Sequence, residues 1–170
     1  MNSPFPCRQG GISLLVVLLL LLVMTLLGLA VMRNTLLEER MASNLVDRGR
    51  SFQAVEGALR EAEARIGSAS TLTMPSSGCA NGLCASPVAT DPDRWLSSDR
   101  TGWSTATLGV TTTSAPRYII EYMGEAPTWP ACDRISPIPQ LCMAPSYRIT
   151  AVSEGAGRAQ VLLQTNYIKQ

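Results

Sequence analysis

The fold is decided by the stretch ISLLVVLLLLLVMTLLGLAVM, which occupies residues 12–32 and contains no charged side chain. Ten of these 21 residues are leucine, and only Ser13 and Thr25 are polar. A helix of this length extends about 32 Å, which matches the hydrocarbon core of a lipid bilayer. A helix that is apolar on every side needs a larger core than a chain of 170 residues provides. The stretch therefore predicts a transmembrane helix.

A cleaved secretory signal peptide is the main alternative for this segment. Signal peptides have an apolar run of about 7–15 residues, followed by a cleavage site of small residues. Here the run is longer and is followed by Arg33-Asn34-Thr35-Leu36, whereas the small residues Gly10-Gly11 precede it. Both differences favour a helix that stays in the protein. Arginines occur on both sides of the run, so the positive-inside rule leaves its orientation open.

The helix is predicted to continue beyond the membrane as an amphipathic half, residues 34–66. Apolar residues recur there at spacings of three, four or seven, which is the period of one helical face. They are Leu37, Met41, Leu45, Phe52, Val55, Leu59, Ala62 and Ile66. Six arginines and six acidic residues between positions 33 and 66 predict a solvated opposite face, with Glu56–Arg60 and Glu61–Arg65 in favourable i,i+4 order. Gly67-Ser68 is expected to end the helix.

Residues 67–170 are expected to form a small globular head. Residues 67–116 show no sustained period and are predicted to be a long loop. Strand patterns follow at residues 117–123, 147–153 and 158–167, and the last two are separated by the turn sequence Glu154-Gly155-Ala156-Gly157. Three antiparallel strands packed on the apolar helix face give an α+β fold. The three tryptophans, Trp95, Trp103 and Trp129, are expected in its core.

The head contains four of the five cysteines, Cys79, Cys84, Cys132 and Cys142, whereas Cys7 precedes the apolar segment. Four cysteines allow three pairings. Cys79–Cys84 and Cys132–Cys142 are favoured, because each pair bounds a short loop without other structure. A four-cysteine zinc site is the alternative, but spacings of C-x4-C and C-x9-C fit it poorly.

Charge and composition exclude several functions. Lys plus Arg number 14, Asp plus Glu number 13, and histidine is absent. This balance excludes a strongly basic nucleic-acid binder, and the lack of imidazole excludes Ser-His-Asp catalysis and a histidine-ligated metal. No phosphate-binding glycine loop or nucleophile motif occurs either. We therefore expect neither enzymatic activity nor a cofactor, and no nucleic-acid partner.

A short leader that ends in glycine, followed by an apolar helix and an amphipathic extension, resembles a type IV pilin precursor. Within that class, the sequence resembles the PilX minor pilins. The stretches that carry the resemblance are residues 8–11, 22–30, 36–42, 52–63, 147–151 and 157–164. They cover about the first 63 residues and the last two dozen, whereas residues 67–115 match no motif.

The resemblance implies a type IV pilin-like fold and a defined processing pathway. Residues 1–11 would be the leader, which a prepilin peptidase removes by cutting after Gly11, with Gly10 as the alternative. Ile12 would then become the first residue and be N-methylated, and residues 12–33 would stay as the transmembrane and assembly half of the helix. The protein would first span the inner membrane of a Gram-negative bacterium once, with its head in the periplasm, and then enter the extracellular pilus.

The resemblance also implies a role in initiating pilus assembly. Major pilins carry a glutamate five residues into the mature helix, whereas this chain has Val16 there, or Leu15 if Gly11 is the first residue. A subunit without that carboxylate is expected at or near the pilus tip. The implied partners are other minor pilins, the major pilin, the inner-membrane assembly platform, a tip adhesin, the prepilin peptidase and, before assembly, membrane lipid. The alternatives are a pseudopilin of a type II secretion system and a bitopic periplasmic binding or sensor protein.

Overall fold

The structure is a computed structural model, and it describes residues 12–107 and 115–169, apart from the side chain of Asn34. Its elements in chain order are helix α1 (Ile12–Ser68), strands β1 (Cys79–Ala80), β2 (Leu83–Cys84), β3 (Ser104–Thr105) and β4 (Arg117–Pro127), a 3₁₀ turn (Cys132–Arg134), and strands β5 (Met143–Ser153) and β6 (Val161–Ile168). One long helix and a small sheet confirm the predicted α+β, pilin-like fold. The chain divides into two compact units between Leu45 and Val46.

The first unit consists, in its described part, of α1 residues 12–45. The helix is long and apolar enough to cross a membrane, judged by its length and composition. Within the apolar run, Thr25 Oγ1 donates to the carbonyl oxygen of Leu22 at 2.8 Å. Hydroxyl groups that are satisfied within the helix suit a hydrocarbon environment, where water is not available as a partner.

In the second unit, α1 packs a narrow face on the sheet. Val55, Ala58, Ala62 and Ile66 are fully buried. They form one cluster with side chains from the two central strands, namely Tyr118 and Ile120 of β4 and Tyr147, Ile149 and Ala151 of β5. Alanine at two of the four helix positions lets the helix backbone approach the sheet closely. Each larger aliphatic side chain in this cluster contributes roughly 1.5–3 kcal/mol by its burial.

The sheet has the order β1-β2-β4-β5-β6, and β3 also pairs with β4. The pairs β4–β5 and β5–β6 are antiparallel, as predicted, but β2 lies parallel to β4. The sheet is therefore mixed rather than purely antiparallel. The segment expected to be all loop contains β1, β2 and β3, and β4 extends past a bulge at Met123 to Pro127.

The small β1–β2 hairpin explains why glycine occupies positions 82 and 102, within the segment that was predicted to be a loop. Asn81 and Gly82 have φ angles of 51° and 76°, which is the backbone of a type I′ turn. Gly102 has a φ of 78°, and a Cβ there would lie 2.3 Å from the carbonyl oxygen of Cys79. Only glycine fits this contact, because any side chain would collide with the hairpin backbone.

Candidate assembly surfaces

The predicted processing site lies at the start of α1. Gly10 and Gly11 lie outside the described residues, and Ile12 is the first described residue of the helix, with 76% of its surface exposed.

The apolar segment presents its side chains outward. Every large apolar side chain from Ile12 to Met32 is at least 41% exposed, and the first charged residue that follows is Arg33. An isolated surface of this kind is unstable in water, because apolar area costs about 25 cal/mol per Å² when it is exposed. It requires lipid or other apolar helices as its surroundings.

The amphipathic stripe is only partly used for packing in the head. Of the eight apolar positions predicted to face the sheet, those from Val55 onward are buried or partly buried. The earlier four are exposed, with values of 60% for Leu37, 67% for Met41, 70% for Leu45 and 43% for Phe52. Among the predicted stripe positions, packing on the sheet therefore begins at Val55.

Charged groups of α1 hold the loops of the head, which corrects the prediction of a merely solvated face. Glu61 accepts hydrogen bonds from the backbone N–H of Thr107 at 2.8 Å and from its hydroxyl at 3.2 Å. Arg65 donates to the carbonyl oxygen of Asn81 at 2.7 Å. The two residues thus bind the loop backbone in addition to any i,i+4 attraction between them.

Asp47 holds the β5–β6 turn in the same way. Its carboxylate lies 2.6 Å from the guanidinium of Arg158 and accepts a hydrogen bond from the N–H of Ala159 at 2.7 Å. These partners are more than a hundred residues apart in sequence, so no local pattern could have indicated the contact.

A buried carboxylate lies on the face of the sheet that points away from α1. Glu121 is fully buried, and its two oxygens lie 2.8 Å from Arg94 and 2.8 Å from Arg148. Arg94 also donates to the carbonyl oxygen of Ala85 at 2.6 Å. The pairing fastens the segment between β2 and β3 onto the sheet. Sequence reasoning recognised Glu121 only as a strand residue and missed this role, because the partners lie far away in the chain.

A second, more exposed ion cluster surrounds Glu154. Arg100 pairs with it through two nitrogens at 3.1 and 3.2 Å, and Arg117 lies 3.1 Å away. The hydrogen bond from Arg100 is the main reason why the pKa of Glu154 is lowered, and the positive charge of Arg117 adds to it against the opposing effect of burial. The guanidinium of Arg100 also lies 4.8 Å from the centre of the Trp103 ring. Trp103 is half-buried, so it does not lie in the core where the sequence placed it.

The pKa shifts of Tyr147 and Asp99 have local causes. Burial raises the pKa of Tyr147, and the neighbouring Tyr122, whose ring centre is 5.7 Å away, raises it further. Hydrogen bonds from the hydroxyl and the N–H of Thr101 lower the pKa of Asp99. Neither group has the setting of a catalytic acid or base.

The cysteines lie in two short loops. Disulfides join Cys79 to Cys84 across the β1–β2 hairpin and Cys132 to Cys142 within the connection from β4 to β5. The second connection also carries four exposed apolar side chains, Trp129, Ile135, Ile138 and Leu141. Trp129 is 41% exposed, so its expected place in the core is wrong. Trp129 and Leu141 instead border an open cavity of about 570 Å³ beside Met143 and Lys169.

The groups described above contribute apolar packing, ion pairs and two disulfides. The sequence has no histidine, and in residues 12–107 and 115–169 no cluster of three or more acidic or cysteine residues could hold a metal. A long helix with an apolar N-terminal half, followed by a disulfide-linked α+β unit, is a pilin-like fold.

Comparison with known families agrees with this class. One family model, described as PilX N-terminal, matches residues 9–60, and another, described as type IV pilus assembly protein PilX C-term, matches residues 68–169. The chain therefore belongs to the PilX family of type IV pilus assembly proteins. No curated protein and no solved structure matches it. The second match includes residues 68–115, for which sequence reasoning found no motif.

Proposed function

We propose that this protein is a minor pilin that takes part in initiating type IV pilus assembly, at or near the pilus tip. The observation that carries the proposal is the uninterrupted exposure of the apolar side chains from Ile12 to Met32. Such a surface is suited first to lipid and then to lateral packing against the apolar helices of other subunits. Tight packing of helices in an apolar medium relies on shape and van der Waals contact.

The missing carboxylate supports a position at the start of the fibre. No acidic residue precedes Glu38 in the chain. A carboxylate at membrane depth costs roughly 2.5–3.5 kcal/mol on insertion scales, so it is kept only where it has a partner. In pilins that elongate the fibre, the partner is the N-terminal amine of a neighbouring subunit. An initiating subunit has no earlier neighbour and does not need the acid.

Processing and location follow from the same role. Residues 1–11 are the leader, cleavage after Gly11 makes Ile12 the N-methylated first residue, and residues 12–33 form the membrane and assembly half. The head, residues 67–170, lies in the periplasm until the subunit enters the pilus. Oxidising conditions there suit the two disulfides.

The partners are those of an initiating complex. Other minor pilins and the major pilin contact the apolar helix, and the exposed positions Leu37, Met41 and Leu45 extend that contact beyond the membrane. The inner-membrane platform and a tip adhesin complete the set. Five of the seven basic side chains in the head form ion pairs, which suits contact with protein neighbours.

Two variants test the initiating role. Loss of the whole chain should lower the number of surface pili several-fold, because initiation is a slow nucleation step. The Val16→Glu substitution should not raise pilus number above that of wild type, since the added acid has no amine to pair with. Val16→Gln, which has a similar size and no charge, is the matched control. A large gain in fibre number with Val16→Glu but not with Val16→Gln would contradict the tip position.

A further inference from the structure

An apolar cavity lies at the start of β5, on the side of the sheet that faces α1. Tyr147 and Ile149 of β5 pack in the cluster that the helix forms with the sheet. Side chains two residues apart in a strand share one face, so Pro145 and Met143 point to the same side. These two residues do not belong to that cluster and line the open cavity of about 570 Å³ instead. The sheet thus leaves part of its helix-facing side uncovered.

The cavity is bordered by two apolar side chains on a constrained loop. Trp129 is 41% exposed and Leu141 is 81% exposed. The N–H of Thr128 donates to the carbonyl oxygen of Cys142 at 2.7 Å, and the Thr128 hydroxyl donates to that of Leu141 at 2.8 Å. The disulfide between Cys132 and Cys142 closes the same loop. A border that is already fixed loses little conformational entropy when a ligand binds.

Lys169 places a positive charge beside this apolar surface. Its ammonium group donates to the carbonyl oxygens of Ala69 and Ser70, directly after the end of α1. These oxygens hold the group in position, but they carry no full negative charge. In residues 12–107 and 115–169, no carboxylate lies within 4 Å of the ammonium. Because an ammonium has three donors, one of them remains for an anionic ligand.

We propose that this cavity binds an extended segment of another protein, in which a large apolar side chain stands next to an Asp or Glu. The apolar side chain packs between Trp129 and Leu141, and the carboxylate pairs with Lys169. A mainly apolar recess with a few placed polar groups is the usual composition of a binding pocket, and tryptophan is enriched in binding hot spots. The proposal concerns the head alone and does not rest on a position at the pilus tip.

The lining of the cavity favours this ligand over other apolar anions. Free chain termini are captured by nests of backbone N–H groups, whereas Lys169 is the only charged group that lines this cavity and the N–H of Thr128 is already bound. One ammonium suits one side-chain carboxylate. The amide of Gln140 also lines the cavity and can bond to a peptide group. A pocket for a fatty acid would bury most of the ligand, but this cavity is open.

Saturation-transfer NMR with short peptides tests the proposal on the full chain in phosphatidylcholine nanodiscs. The probe is the acetylated and amidated peptide Ser-Phe-Glu-Ser, and its controls are Ser-Phe-Gln-Ser and Ser-Ala-Glu-Ser. We expect saturation of the phenylalanine ring and a Kd at least about fivefold lower than that of either control, because each control lacks one contact. Nanodiscs without protein give the background. Equal affinity for the three peptides, or no binding of the probe at about 5 mM, would overturn the proposal.

Variants of the cavity locate the bound peptide. Leu141→Ala and Lys169→Gln should each raise the Kd of Ser-Phe-Glu-Ser about fivefold. Leu96→Ala is the matched control, because Leu96 is also an exposed leucine of the second unit but does not line the cavity. It should change the Kd by less than about twofold. Equal weakening by Leu96→Ala and Leu141→Ala would contradict the assigned site.

Charge exchange separates recognition from damage to the fold. Lys169→Glu should lose Ser-Phe-Glu-Ser and gain binding of Ser-Phe-Lys-Ser, which a misfolded head could not do. Failure to gain the lysine peptide would overturn the pairing with Lys169. Tighter binding of decanoate than of the probe, with the same dependence on Leu141, would assign the cavity to a fatty acid instead. Self-association of the chain that Leu141→Ala abolishes would assign it to a second copy, and either result would overturn the proposal.

Discussion

The two units of this molecule depart in different ways from the usual pattern of apolar side chains inside and charged side chains outside. Residues 12–32 expose ten leucines, whereas the second unit buries a carboxylate, Glu121, in the centre of its sheet. The exposed leucines make sense only in contact with lipid or other helices. The buried Glu121 makes sense because Arg94 and Arg148 both contact it. A side chain is therefore placed according to its partners, and we expect the partners of the first unit to be lipid or other helices.

Removal of the buried charge should have the largest effect on the head. We expect Glu121→Gln to lower its free energy of unfolding by about 4 kcal/mol, because two arginines lose their counter-charge in a largely dry site. Denaturant unfolding followed by tryptophan fluorescence measures this, since all three tryptophans lie in the second unit.

Glu125→Gln is the matched control for this substitution. Glu125 lies on the same strand but is exposed, so its substitution should change stability by less than about 0.5 kcal/mol. Equal effects of the two substitutions would show that the Glu121 cluster does not stabilise the head.

The second prediction contrasts two apolar positions of the same helix. Ile66 is fully buried against the sheet, and Ile66→Ala should cost about 3 kcal/mol of head stability through lost burial and the remaining cavity. Leu37 is 60% exposed, and Leu37→Ala should leave the unfolding of the head within about 0.5 kcal/mol of wild type. Leu37→Ala should instead weaken association with other subunits. The comparison fails if Leu37→Ala destabilises the head as much as Ile66→Ala does.

The smallest effect is expected at the partly exposed Glu154 cluster, and it depends on pH. The pKa of Glu154 is lowered in the folded head. The ion pairs therefore add stability that is fully present above the pKa of a glutamate in the unfolded chain, about 4.3. This stability disappears as the pH falls through the folded pKa. Glu154→Gln should therefore cost about 1 kcal/mol at pH 7 and progressively less below pH 4. Unfolding curves across that range measure it, and a cost that stayed constant with pH would contradict the role of the charge.

Periodic features were predictable from the sequence, whereas contacts between distant residues were not. The helix was predicted to within two residues of its end at Ser68, and three long strands were predicted close to β4, β5 and β6, with alternating side chains at residues 147–153. The β4 extension was missed because Gly124 and Pro127 are residues that disfavour a strand. Strands of two residues, such as β1 and β3, are too short to show any period. Glu121 and Arg94 are 27 residues apart, and only the folded sheet brings them together.

The assembly surface was easier to predict than the head, for a physical reason. Contact with lipid requires only a continuous apolar run, which is visible in one dimension. The exposure of Leu37, Met41 and Leu45 was not predictable from the sequence, because apolar residues at helical spacing are also typical of a buried helix face.

The central claim, that this is a processed minor pilin, is tested most directly by the mass of the mature N-terminal peptide. Protein expressed from the whole sequence, isolated from its native membrane and analysed by mass spectrometry should begin at Ile12 and carry one N-methyl group. The intact mature protein should contain the four cysteines of the head and lack Cys7. An intact Met1, or an unmethylated terminus away from Gly10 and Gly11, would contradict the account and favour a membrane-anchored protein that never enters a pilus.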